Sequence, residues 1–168
     1  MGKQRGGAAR KRFEVRMQYT VRTAEPVFDS LEPVIRGLGM SLVELTVFRS
    51  RGSARVRAVV YKAGAVGHED CARVHRAILP RLELAFPREE LFVEVSSPGV
   101  DRLIKDGAEF THYRGRGLRC YRTDISDWTG GVLESSDERG IVLRGKDGPM
   151  NLGYDVIAKA KLDYSQEV

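Results

Sequence analysis

The run Ser96-Ser97-Pro98-Gly99 divides the sequence into two stretches with different hydrophobic rhythms. Before it, apolar residues recur at helical and then at strand spacing. After it, short alternating runs are broken by turn residues at close intervals. Proline fixes its own φ and glycine tolerates positive φ, so Pro98 and Gly99 fit the central positions of a type II turn. The spacing therefore predicts two small units, residues 23–97 and 98–168, preceded by a leading segment over residues 1–22.

In the first unit, Val27, Phe28, Leu31, Val34, Ile35 and Leu38 form one helical stripe and predict a helix over 23–39. Thr23 is the expected N-cap, Pro26 suits the first turn, and Gly39 supplies a left-handed stop. Pro33 should bend this helix. Strands are expected over 41–48 and 55–62, joined around Arg51-Gly52-Ser53. Val43, Leu45 and Val47 then share one face of the first strand, and Val56, Ala58 and Val60 one face of the second. A second helix over 69–86 turns Cys71, Val74, Ile78, Leu82 and Ala85 to one side, and Pro80 should kink or split it. A strand over 91–95 completes an α-β-β-α-β unit with both helices on one sheet face.

The second unit begins with a short helical segment over 101–113. Strands follow over 117–124, 130–136, 140–144, 149–153 and 158–163, separated by turns at Asp127, Gly130-Gly131, Asp137 to Gly140 and Lys146-Asp147-Gly148. Five short strands in so little chain predict a small closed or nearly closed barrel. The fold class expected is α+β.

Charge is unevenly spread. Residues 1–24 hold seven basic side chains against Glu14 alone, while the remainder holds 21 basic and 22 acidic, so the net +5 resides in the leading segment. Lys3, Arg5, Arg10, Lys11 and Arg12 make it a flexible arm suited to phosphate neutralisation, or equally a solubilising tail. The expected compartment is the cytoplasm, because the basic start lacks the apolar segment of a secretory signal and no run approaches a membrane span.

Arg49, Arg51, Arg55 and Arg57 crowd the first hairpin, where Glu44 and Glu94 are the expected compensating charges. They read either as an RNA-backbone contact or as a solvated edge protected from aggregation. Ser97, Pro98, Gly99, Asp101 and Arg102 form the expected junction, with Asp101 and Arg102 placed to pair across it and Arg102 also placed for an RNA contact. Arg114, Arg116, Arg119 and Arg122 are interleaved with Tyr113 and Tyr121, a mixture that can contact phosphate and stack on bases. Residues 98–168 nevertheless carry one more acidic than basic side chain, which suits a basic protein partner better than naked RNA.

His68, Cys71 and His75 offer too few ligands for a zinc site, since His112 and Cys120 fall in the other unit. Gly64-Ala65-Val66-Gly67 matches the GXXG loop of KH domains but joins a strand to a helix, as an ordinary connection would. No phosphate loop or dinucleotide fingerprint occurs, and no cofactor, metal or catalytic residue is expected.

The segment Glu94-Val95-Ser96-Ser97-Pro98-Gly99-Val100-Asp101-Arg102 resembles the central signature of the bacterial ribosome maturation factor RimP family. Leu31-Glu32-Pro33, Leu42-Val43-Glu44, Glu69 to Val74, Tyr113 to Arg116 and Ile157 to Leu162 resemble its other landmarks in order. Leu103 departs from it, standing where the family usually has proline. The resemblance implies an N-terminal α/β domain and a C-terminal SH3-like (Sm-like) barrel. It also implies binding to the immature small ribosomal subunit and to the small-subunit ribosomal protein numbered twelve, with no catalysis. A monomer is expected. The competing readings are a general RNA-binding module or RNA chaperone working through the arm and hairpin, and a thiol- or metal-dependent hydrolase centred on Cys71.

Overall fold

The computed structural model describes residues 16–21, 25–99 and 102–167. The first helix, α1, spans Pro26–Gly37. Its cap is Glu25, whose carboxylate accepts from the Val27 and Phe28 backbone N–H groups, so the helix starts later than expected; Thr23 lies outside the described residues. Asp29 in the first turn and Arg36 in the last complement the helix dipole, and Gly39, at φ 79°, turns the chain away.

Strands β1 (Ser41–Ser50) and β2 (Ser53–Tyr61) form an antiparallel hairpin around Arg51-Gly52, and β2 pairs in parallel with β3 (Glu90–Ser96). A helix, α2 (His68–Ala85), makes the crossover. The Asp70 carboxylate accepts from the Gly67 N–H at 3.0 Å and pairs with Lys62 at 2.8 Å, which fixes the start of α2. The helix runs unbroken past Pro80, so of the kink or split expected there the split does not occur. Leu31 and Ile35 of α1 and Val74, Ile78 and Leu82 of α2 are fully buried against Ala54, Val56, Ala58 and Val60 of β2. Each such side chain contributes roughly 1.5–3 kcal/mol of transfer free energy, which holds both helices on one face.

The register of β1 slips between Leu42 and Glu44. This bulge corrects the simple alternation: Leu42, not Val43, joins Leu45 and Val47 on the helix side, while Val43 packs into the other core. It also places Glu44 on the sheet face opposite the helices, opposite Val59.

The strand-rich half is a six-stranded antiparallel sheet in the order β4-β9-β5-β6-β7-β8. Its strands are β4 (Leu103–Ile104), β5 (Gly117–Arg122), β6 (Asp127–Ser136), β7 (Gly140–Gly145), β8 (Gly148–Gly153) and β9 (Ile157–Leu162). The outer strands β4 and β8 share no ladder, so the sheet is curled but not closed by hydrogen bonds among the described residues. Leu118, Cys120, Leu133, Leu143, Ile157 and Ala160 face its interior, together with Phe110 and Tyr113. Those two aromatics come from a 3₁₀ helix over Gly107–Tyr113, which replaces most of the expected helical segment.

Two features correct the expected organisation of the chain. Residues 16–21, expected within the flexible arm, lie as a strap across the strand-rich half. The Met17 N–H donates to Ile157 O at 2.7 Å, Gln18 O accepts from Gly107 N–H at 2.7 Å, and the Thr20 N–H donates to the Asp106 carboxylate at 3.0 Å. Met17 is 7% exposed and Tyr19 stacks on Tyr154 at 5.9 Å. In addition, Gly99 is not among the glycines at positive φ, which excludes the type II turn at Pro98-Gly99. Gly99 O accepts from Arg102 N–H at 3.0 Å.

Candidate docking surfaces

The face of the three-stranded sheet turned away from the helices has two parts. At one end Val59 and Tyr61 are buried, and Tyr61 meets Tyr113 edge to face at 5.0 Å, so the strand-rich half covers this end. Glu44 stands beside it and accepts from Arg102 Nη2 at 2.9 Å and from Lys105 Nζ at 3.0 Å. Arg102 Nη2 also reaches Glu109 Oε2 at 3.2 Å, with both side chains 13% exposed. Burial raises the Glu44 pKa, but hydrogen bonds from Lys105 and Arg102 outweigh it and leave the carboxyl below its ordinary value. At Glu109 burial prevails over Arg102, and its pKa is raised. Arg102 is thus a structural clasp, although its partners are Glu44 and Glu109; Asp101, the partner expected from sequence, lies outside the described residues. Ser97, Pro98 and Gly99 form the connection that delivers Arg102 to this position.

At the other end the same face is open. The register sets Phe48, Arg55 and Phe92 side by side in one cross-strand row and Thr46, Arg57 and Glu94 in the next. Phe48 is 64% and Phe92 47% exposed. Together with Val56 and Val93 these residues line a shallow hollow of about 360 Å³. The Arg55 guanidinium lies 5.4 Å from the centre of the Phe92 ring, while Arg57 approaches Glu94 at 3.8 Å with both side chains in solvent. Arg49 forks onto the Glu89 carboxylate and lies 5.3 Å from the Phe86 ring. Of the acids expected to offset the hairpin arginines, Glu94 does so weakly, Glu44 faces Arg102, and the stronger partner is Glu89. Arg51 is exposed at the turn.

On the strand-rich half, most of the arginines are engaged. Arg116 pairs with Glu167 at 2.8 Å and covers the Tyr164 ring at 4.8 Å, Arg119 pairs with Asp163 at 3.2 Å, and Arg122 with Asp124 at 2.6 Å. Arg114 is exposed. Tyr113 is fully buried and cannot stack on a base, contrary to the sequence expectation. Tyr121 instead meets Trp128 edge to face at 5.6 Å, with Lys161 Nζ 5.7 Å from the Trp128 ring. Sequence reasoning passed over Phe48, Phe92 and Trp128, whose signal was an aromatic at a position facing solvent in the strand alternation.

The residues considered for chemistry are not gathered. Among the described residues no group of three or more His, Cys, Asp or Glu is placed to hold a metal. Cys71 is half-buried, not a full core residue as expected, and burial followed by the neighbouring Asp70 charge raises its pKa. Cys120 is buried and pushed up to about 12, so neither thiol is an activated nucleophile. The Gly64–Gly67 loop ends as the cap of α2, with Gly64 at φ 90°. No helix among the described residues is long and apolar enough to cross a membrane. Lys3, Arg5, Arg10, Lys11 and Arg12 lie outside the described residues.

A family model described as the RimP N-terminal domain matches residues 30–101. Proteins named ribosome maturation factor RimP from Borrelia turicatae and Borrelia recurrentis are each 26% identical over 136 residues, and that of Borrelia hermsii is 28% identical over the same length. Each match covers 81% of this chain and 93% of the relative. An alignment of that length necessarily includes parts of both halves.

Proposed function

We propose, from the chain's membership of the RimP family, that it is a non-catalytic ribosome maturation factor that engages the assembling small subunit. The observation that carries this reading is the similarity to RimP proteins running through both halves of the molecule. The geometry is compatible with it: the clustered features are docking surfaces, and the titratable groups at the centre are tied into a clasp between the halves. Work on the particle then comes from binding one conformation of it more tightly than another.

The finer reading divides the labour between an N-terminal domain ending near Ser97 and a C-terminal domain acting as an SH3-like barrel. The barrel would dock the small-subunit ribosomal protein numbered twelve, its slight negative charge complementing a basic partner. Arg51, Arg114 and the basic residues Lys3 to Arg12 would meet ribosomal RNA. The factor would act as a monomer in the cytoplasm, where subunits are assembled.

Sedimentation tests this. Cells lacking the protein should accumulate immature small subunits. The purified chain should co-sediment with those particles in a salt-sensitive manner and leave mature subunits largely unbound. Equal association with immature small subunits and with large subunits would sink the reading.

A further inference from the structure

We infer that the open end of the three-stranded sheet is a stacking platform for single-stranded RNA, with Phe48 and Phe92 holding bases on either side of Arg55. Sheets with one face in water ordinarily turn polar side chains outward on that face. Here two phenylalanines stand in solvent in one cross-strand row, at 64% and 47% exposure. Adjacent strands are about 4.8 Å apart, so the two rings sit roughly 10 Å apart with the arginine between them. A single strand with its bases turned out can lay one base on the Phe48 ring and one on the Phe92 ring, drawing the Arg55 guanidinium off the Phe92 ring onto the intervening phosphate. Aromatic and arginine faces accept any base, and cations track the backbone.

Charge selects RNA over a protein segment as the occupant. Arg55 makes no ion pair among the described residues, and its guanidinium faces the Phe92 ring instead of a carboxylate. Among the described residues Arg57 has only a distant, solvated partner in Glu94. Arg51 extends the positive edge at the hairpin turn. An apolar peptide would leave these guanidinium groups unpaired against its surface, whereas phosphates neutralise them. Duplex RNA is a poor fit, because its bases are stacked on one another and their faces are closed to side chains. The choice of RNA over another single-stranded polyanion rests on the maturation-factor reading.

Fluorescence anisotropy of the full chain with a labelled short single-stranded RNA, and with the same RNA as a duplex, tests the platform. The Phe48→Leu/Phe92→Leu variant should weaken single-strand binding about tenfold or more and leave duplex binding unchanged, while Phe48→Tyr/Phe92→Tyr should bind as the parent does. Arg55→Ala should reduce the steepness of the log affinity against log salt plot by roughly 0.7. Both phenylalanines are exposed, so the melting temperature should stay unchanged and a loss of affinity will not reflect misfolding. Parental affinity in the leucine variant overturns the inference. So does an unchanged oligonucleotide affinity accompanied by loss of subunit association, which would make the face a protein-docking surface while leaving the maturation-factor reading intact. Failure of the parent to co-sediment with small subunits removes that reading but not the stacking result.

Discussion

Arg102 Nη2 lies 2.9 Å from Glu44 Oε2, joining the segment after the junction to a strand 58 positions earlier in the chain. The same nitrogen reaches Glu109, so one guanidinium neutralises two carboxylates on opposite sides of the contact between the halves. Removing it leaves Glu109 partly buried without this cation and Glu44 with Lys105 alone.

Arg102→Ala should therefore destabilise the protein by about 2–3 kcal/mol. This is below the ~3–5 kcal/mol typical of a fully buried pair, because Lys105 remains on Glu44. Urea denaturation followed by circular dichroism measures it. A loss under about 0.5 kcal/mol would reduce the contact to an ordinary surface pair.

Acidification should weaken the fold through His112. The ring is half-buried beside Phe28, Glu32 and Glu109, and burial holds its pKa below 6.5 although Glu32 acts in the opposite direction. The unfolded chain binds more protons than the folded one between the two pKa values. Stability is thus complete above 6.5 and is lost as pH falls through the folded value. Thermal melts from about pH 7 to about pH 5 should show a smaller decline for His112→Gln than for the parent. An identical decline would place the titration elsewhere.

Met17→Ala tests the strap. The side chain is buried in the strand-rich core, so its truncation should cost about 2–3 kcal/mol, in the range of large-to-small core changes. An unchanged melting temperature would mean that residues 16–21 contribute no net stability.

Two glycines should respond to alanine in opposite ways. At Gly140 a Cβ would run into the Leu152 carbonyl oxygen across the β7-β8 ladder, and the expected loss is about 1–3 kcal/mol. At Gly37, the last residue of α1, a Cβ meets nothing within 4 Å, and alanine should be neutral or stabilising by about 0.5 kcal/mol. Differential scanning calorimetry of the two variants distinguishes the cases.

Local signals carried much of the architecture. The stripe from Leu31 to Ile35 and the alternation from Val56 to Val60 placed α1 and β2 because burial imposes those periods. The alternating runs likewise marked β5 to β9 to within a few positions, although Asp127 and Gly130-Gly131, expected as turns, lie within β6. Three things escaped. Glu25 caps α1 because its longer carboxylate reaches the first-turn N–H groups of Val27 and Phe28, a geometry that residue preferences do not encode. The bulge at Val43 was hidden because Leu42, Val43 and Leu45 are all apolar and fit either register. Met17 lies in a polar and basic stretch, and its partner Ile157 is far away in sequence, so no local pattern announces that it is buried. The candidate surfaces were legible as clusters of arginine. Which arginines were already committed to acids depended on long-range pairing, as with Arg49 and Glu89.

The strap has a consequence for synthesis. Its partners are Asp106, Gly107 and Ile157, so residues 16–21 stay unmoored until the strand-rich half begins to emerge and are fully seated only once Ile157 is made. A nascent chain stalled before Asp106 would carry Met17 and Tyr19 without the strand-rich core and the Tyr154 ring that cover them in the fold. Seating the strap closes a loop that begins and ends in the strand-rich half, so a nick at the junction would leave the two pieces held by the strap's hydrogen bonds and by the pairing of Arg102 with Glu44.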